Sequence, residues 1–149
     1  MQQIRLFLFS TALLVSLFGM TAFMGGSTAP AQATQRSRPQ VTCSGNGCNG
    51  QNPQSTGCAA NAFTVRRVDF SNSFVELRYS PKCGTKWGRV TSKVGPTRLV
   101  VRTQRNDGLT YTFTGGNFNS AFAAMVYAPQ VAARACGGVN SISGCTAYV

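Results

Sequence analysis

Six cysteines and not one histidine stand in this chain, and that pairing limits its possible folds more than any other feature. Cys43, Cys48, Cys58, Cys83, Cys136 and Cys145 form an even set in a small protein, the pattern of a disulfide framework built in an oxidising compartment. Zinc is the competing use for so many thiols. Without histidine it would need four thiolates, and no paired C-x-x-C spacing exists to supply them. Six cysteines allow fifteen pairings. The set Cys43–Cys48, Cys58–Cys83 and Cys136–Cys145 is expected, because each bridge closes a local loop between adjacent segments. The missing histidine also removes the commonest general base and metal ligand. No metal and no cofactor are expected.

The front of the chain points to the same compartment. Residues 1–33 read as a signal peptide: a short start with one positive charge at Arg5, an uncharged apolar stretch from Leu6 to Met24, then small residues leading to Ala31-Gln32-Ala33. That last triplet fits the A-x-A rule of signal peptidase, so cleavage is expected between Ala33 and Thr34. The competing reading is an uncleaved anchor, since the apolar run is near the lower length that crosses a bilayer. The A-x-A site favours cleavage, leaving no stable membrane span. No cysteine follows closely behind the apolar run, which argues against a lipoprotein anchor. The expected location is therefore secreted, periplasmic or extracellular. Residues 34–42 read as a flexible lead-in, and 43–149 as a single domain of ordinary size.

Charge narrows the partners. Of 14 Lys and Arg, Arg5 leaves with the leader, so 13 cations face three acids, Asp69, Glu76 and Asp107. Such an excess raises solubility and attracts polyanions at a distance. Cell-wall polymer, lipopolysaccharide and DNA are all candidate partners. Charge that serves solubility alone is the competing reading.

The fold class follows from periodicity. Cys43 to Cys58 is dense in Gly, Asn, Gln and Ser, which suits turns tied by cysteine. Beyond Ala62 the texture changes to β-branched and aromatic residues. Ser73 to Ser80 alternates strictly, with Val75, Leu77 and Tyr79 on one face and Phe74, Glu76 and Arg78 on the other. Phe63–Phe70, Lys86–Lys93, Thr97–Gln104 and Leu109–Thr114 read as further strands, the last with Leu109, Tyr111 and Phe113 opposite threonines. Arg105-Asn106-Asp107-Gly108 is turn chemistry and makes a hairpin of the strands around it. Ser120 to Ala128 reads as helix by its alanines or as strand; Pro129 favours extended structure near Met125 to Tyr127. Val131 to Cys136 is a helical turn or a last strand. Five to six short strands fit an all-β domain, a small antiparallel barrel or sandwich tied by disulfides.

Two blocks carry a family resemblance. Cys43-x4-Cys48-Asn-Gly-x-x-Pro53-x3-Gly57-Cys58-Ala59 resembles the opening of the YjfA-like proteins, small exported bacterial proteins grouped as a domain of unknown function. Val75-Glu76-Leu77-Arg78-Tyr79-Ser80-Pro81-x-Cys83-Gly84-Thr85-x-Trp87-x-Arg89-Val90 is similar to that family's most distinctive segment. Asp107-Gly108-x-Thr110-Tyr111 and Met125-Val126-Tyr127 are similar to its later landmarks. The resemblance spans residues 43 to 128. It implies a secreted domain and carries over no catalytic residue.

Three functional readings remain. The first is a non-enzymatic cationic domain that binds an anionic partner of the envelope or medium. Arg78, Lys82, Lys86, Trp87 and Arg89 are its candidate anion-binding residues, since basic side chains interleaved with aromatics grip polyanions. Against this, a lone Trp in a small β domain more often packs in the core. Arg66, Arg67, Arg98, Arg102 and Arg105 extend such a patch only if their strand faces agree. The second reading is a small envelope-acting hydrolase with Glu76 as its acid, tuned by Arg78. The competing role for that pair is to fix strand register. No G-x-S-x-G elbow, phosphate loop or acidic cluster suited to calcium is present, so no catalytic residue is assigned. The third is an inhibitor or antagonistic protein displaying loops on a cross-linked scaffold.

Overall fold

The computed structural model describes residues 40–149. The leader, its cleavage site and most of the lead-in lie outside the described residues. Two antiparallel sheets pack face to face. Sheet A runs β1 (Phe63–Asp69), β2 (Ser73–Ser80), β3 (Thr85–Ser92), with β6 (Ser120–Phe122) and β7 (Val126–Tyr127) both pairing β3. Sheet B runs β5 (Thr110–Phe118), β4 (Thr97–Arg105), β8 (Ala133–Val139), β9 (Gly144–Cys145). Of the two architectures that the sequence allows, this is the sandwich. Six strands have seven to nine residues, and three have two or three. The segment that reads as helix or strand after Ser120 is extended at both β6 and β7, and the ambiguous stretch after Val131 becomes β8. No α-helix occurs among the described residues.

Strand alternation builds the main core. Val75 and Leu77 of β2 and Val90 of β3 face Leu99 and Val101 of β4 and Ala135 of β8, all fully buried. Removing this apolar surface from water is the main favourable term in folding. Two glycines let the layers close. A Cβ on Gly88 would lie 2.9 Å from the Arg102 carbonyl oxygen, and one on Gly137 would lie 2.7 Å from that of Val100. The bare Gly88 N–H instead donates to the buried Thr103 hydroxyl at 2.8 Å, a polar link between the sheets. The β4–β5 turn has Gly108 at φ +98°, as the turn chemistry predicts.

A second core lies on the other side of sheet A. Residues 40–62 form a cap over its outer face, with 3-10 turns at Gly45–Cys48 and Cys58–Asn61. Asn52 organises the stretch between them: its side-chain oxygen accepts from the Gln54 N–H at 2.8 Å, and its carbonyl accepts from the Thr56 hydroxyl at 2.8 Å. The cap docks on the β6–β7 segment through Gly50 N–H to the Met125 carbonyl and Met125 N–H to that of Gln51. Cys48, Cys58 and Cys83 pack there with Trp87 and Met125. The bridges are Cys43–Cys48, Cys58–Cys83 and Cys136–Cys145, the local set. A cap this poor in apolar residues has little surface to bury, so covalent links take over the role that packing has elsewhere.

Candidate functional site

The residues that the sequence nominates lie on and around β2 and β3 of sheet A, and the fold distributes them. Trp87 is 3% exposed and sits beneath the cap among disulfide sulfurs, a core side chain with little ring face for a ligand. Glu76 and Arg89 are directly opposite each other on β2 and β3. Arg89 Nη2 lies 2.6 Å from Glu76 Oε2, and the Thr64 hydroxyl donates to Oε1 at 2.7 Å. Arg78 does not pair with Glu76 directly. Its guanidinium donates to the Thr64 hydroxyl at 2.8 Å and to the Ala62 carbonyl at 2.6 Å. The network therefore runs from the cap through Arg78 and Thr64 to Glu76 and Arg89, binding β1, β2, β3 and the cap in one register.

Titration follows from this geometry. Burial, the largest single influence on Glu76, pushes its carboxyl up; the bonds from Thr64 and Arg89 and the charges of Arg89 and Arg78 outweigh it, leaving the group below its ordinary value. Burial and then the neighbouring Arg89 lower Arg78, while Glu76 works the other way. Guanidinium nonetheless stays charged at neutral pH. An ionised carboxylate saturated with donors accepts hydrogen bonds and has no proton to give, so Glu76 is poorly placed as a general acid. The other carboxylates are held likewise: Asp69 by Arg67 at 2.8 Å and Lys93 at 3.0 Å, and Asp107 by Arg105 at 2.6 Å. Hydrogen bonds from Arg67 and then Lys93 hold Asp69 far below the usual range, and that from Arg105 lowers Asp107.

The nominated cations end in three places. Arg78 and Arg89 line a small pocket of about 230 Å³ with the Trp87 edge and Phe122. Exposed Lys82 borders a separate groove with Tyr79 and Tyr127. Lys86 points to the inner side and is buried, its Nζ donating to the backbone oxygens of Val131 at 2.9 Å and Val149 at 2.8 Å. Desolvation lowers its pKa. The Sγ atoms of Cys43, Cys48 and Cys58 lie within 4.8 Å of one another, but all three are bound in disulfides and offer no thiolate to a metal.

Sheet B's outer face is different. With Leu99, Val101 and Thr103 buried, β4 turns Arg98, Val100, Arg102 and Gln104 outward. Register sets Arg102 opposite Thr112 and Gln104 opposite both Thr110 and Arg134. Arg102 Nε donates to the Thr112 hydroxyl at 3.2 Å. Arg134 donates to the Gln104 amide oxygen at 2.9 and 3.1 Å and lies 4.6 Å over the Tyr148 ring. Among the described residues, Arg98, Arg102 and Arg134 make no ion pair. Exposed Thr110, Thr112 and Thr114 add a row of hydroxyls. Arg105, by contrast, bends to Asp107 and the Tyr127 carbonyl, and Arg66 and Arg67 belong to edge strand β1 of sheet A. Arg134 is a basic residue that the sequence does not single out; its signal is the alternation of β8, hidden by the glycines of that strand.

The family model described as "Protein of unknown function (DUF2690)" matches residues 46–136, more than half of the chain. No curated protein matches the chain. No solved structure matches it.

Proposed function

We propose that this chain, which belongs to the DUF2690 family of proteins of unknown function, is an exported, non-enzymatic domain that binds an anionic polymer through the outer face of sheet B. The observation that carries the reading is the placing of charge. All three carboxylates are occupied by local cations, while Arg98, Arg102 and Arg134 share one face with no acid beside them. Guanidinium groups spaced along one sheet face suit phosphate and carboxylate groups repeated along a polymer. The threonine hydroxyls next to them supply uncharged donors.

Export rests on residues 1–33 and on three disulfides, which persist in oxidising compartments. The likeness to the YjfA-like bacterial proteins supports the same location, secreted or periplasmic. Sequencing the protein recovered outside the cytoplasm should find Thr34 first; finding Met1 would overturn cleavage.

Cell-wall polymer, lipopolysaccharide and DNA are the probes for the binding surface. Binding at low ionic strength should weaken steeply with salt, as it does when counterions are released. Changing Arg98, Arg102 and Arg134 together to Gln should weaken it about a hundredfold or more, at about a tenfold loss or somewhat less per arginine. A protein that ignores all three polymers, or a triple variant that binds as well as the parent, would end the proposal. The hydrolase reading has less support, because Glu76 is clamped as an acceptor.

A further inference from the structure

We infer that the cleft between strands β5 and β6 takes the alkyl chain of a single-chain anionic amphiphile, whose headgroup meets Arg102. This deepens the anion-binding reading and rests on it only through that arginine. β5 is the outer strand of sheet B and β6 that of sheet A, and the two do not pair. The sandwich is therefore open along this side, leaving a cleft of about 430 Å³, within the range of small-molecule sites. Phe113, Phe118, Phe122, Ala121 and Ala124 supply its apolar lining, and Thr112, Ser120 and Asn52 of the cap its polar lining.

The walls are built for this shape. Asn117 takes a left-handed conformation at φ +60°, near the end of β5, and Phe118 packs against Phe113 edge to face with centroids 5.9 Å apart. Gly115 makes room for both rings, since a Cβ there would lie 2.7 Å from Phe113 and 2.9 Å from Phe118. Phe118 is 43% exposed, an apolar ring facing water.

Charge selects the occupant. On a chain with 14 cations, no residue lining this cleft is charged, so the cleft itself prefers an uncharged apolar group. Beside it, on the outer face of sheet B, Arg102 Nε donates to the hydroxyl of Thr112, a residue of this lining, and the guanidinium has no carboxylate partner. A largely apolar slot with an unpaired cation bonded to one of its lining residues matches a molecule with an alkyl tail and a phosphate or carboxylate head. A second copy of the chain fits poorly, because both surfaces would carry the same excess of positive charge.

The test titrates the full chain with dodecyl phosphate, dodecyl maltoside and inorganic phosphate, all below micelle formation, by calorimetry and by amide shifts of Thr112 and Ala121. Dodecyl phosphate should bind and move both amides. Dodecyl maltoside should bind about tenfold more weakly, lacking the charged headgroup, and inorganic phosphate should leave Ala121 unmoved. Phe118→Ser should lower dodecyl phosphate affinity about tenfold or more. Arg102→Gln should bring it down to the maltoside level while leaving maltoside binding unchanged. Equal affinity for the two amphiphiles, an unaltered affinity in Phe118→Ser, or no binding would overturn the inference. The double variant Arg98→Gln/Arg134→Gln separates the two readings: polymer binding should fall and dodecyl phosphate binding should persist. Polymer binding that survives in a protein blind to dodecyl phosphate sinks the cleft alone; the reverse result sinks the polymer surface alone.

Discussion

Both sheets turn arginines outward, and the two faces are built on different plans. On sheet A, Arg78 and Arg89 lie at the margin of the disulfide-tied cap and are absorbed into one network with Thr64, Glu76 and the Ala62 carbonyl. On sheet B, Arg98, Arg102 and Arg134 face water with threonines and no acid. A buried carboxylate asks for cations, so charge on the first face is structural. On the second face Arg102 and Arg134 meet only neutral partners, the Thr112 hydroxyl, the Gln104 amide and the Tyr148 ring, and no acid there needs their charge. The contrast teaches that a basic residue's role is set by what covers its strand, and sequence proximity to a tryptophan is a poor guide to it.

The largest effect should come from uncovering sheet A. Replacing Cys58 and Cys83 together with Ser frees a loop with a sequence separation of 25. On the loop-entropy model this should cost about 3–4 kcal/mol of stability in urea unfolding. Trp87 fluorescence should shift to the red as the cap loosens. An unchanged midpoint would mean that packing alone holds the cap.

A smaller loss is expected at Glu76. Glu76→Gln leaves Arg89 without its partner, but that side chain is 40% exposed and recovers water. The cost should be about 1–2 kcal/mol. Acid provides a second reading of the same ion pair. Because the folded carboxyl titrates below its unfolded value, its contribution is complete above the unfolded value, near pH 4, and is lost as pH falls through the folded one. Stability of the parent should therefore drop more than that of Glu76→Gln as pH falls below about 4. Parallel curves for the two proteins would remove Glu76 from the network's energetics.

The smallest effect on stability belongs to sheet B. Arg102→Gln with Arg134→Gln should change unfolding by about 0.5 kcal/mol or less, while polymer affinity falls and its salt slope shrinks by roughly one for each arginine replaced. Arg78→Gln with Arg89→Gln should do the opposite, lowering the melting temperature and sparing affinity. If both pairs behave alike, the two faces are not distinct.

Much of this fold is legible where one side of a strand meets water. β4 and β5 alternate cleanly, and the turn at Asp107-Gly108 joins them as its chemistry requires. β2 is bounded at Ser73 and Ser80, with Pro81 at its end. Legibility fails where both sides are covered. Thr85, Lys86, Trp87 and Gly88 are all buried, because sheet B covers one face of β3 and the cap the other. Alternation then carries no sign of which side is solvent, so Lys86 and Trp87 read as a basic aromatic patch. The partner of Glu76 is hidden for a related reason: Arg78 is its neighbour in sequence, whereas Arg89 is its neighbour across the ladder. β8 is obscured by Gly137 and Gly138, which leave little periodicity to read.

Each sulfur bridge joins cysteines that follow one another in chain order, and no bridge crosses or encloses another. A chain exported N-terminus first, as proposed, can thus close every covalent ring as soon as its second thiol appears. Pairing each thiol with the next to arrive then gives the native set, so a chain exported in this way would call for little reshuffling by an isomerase.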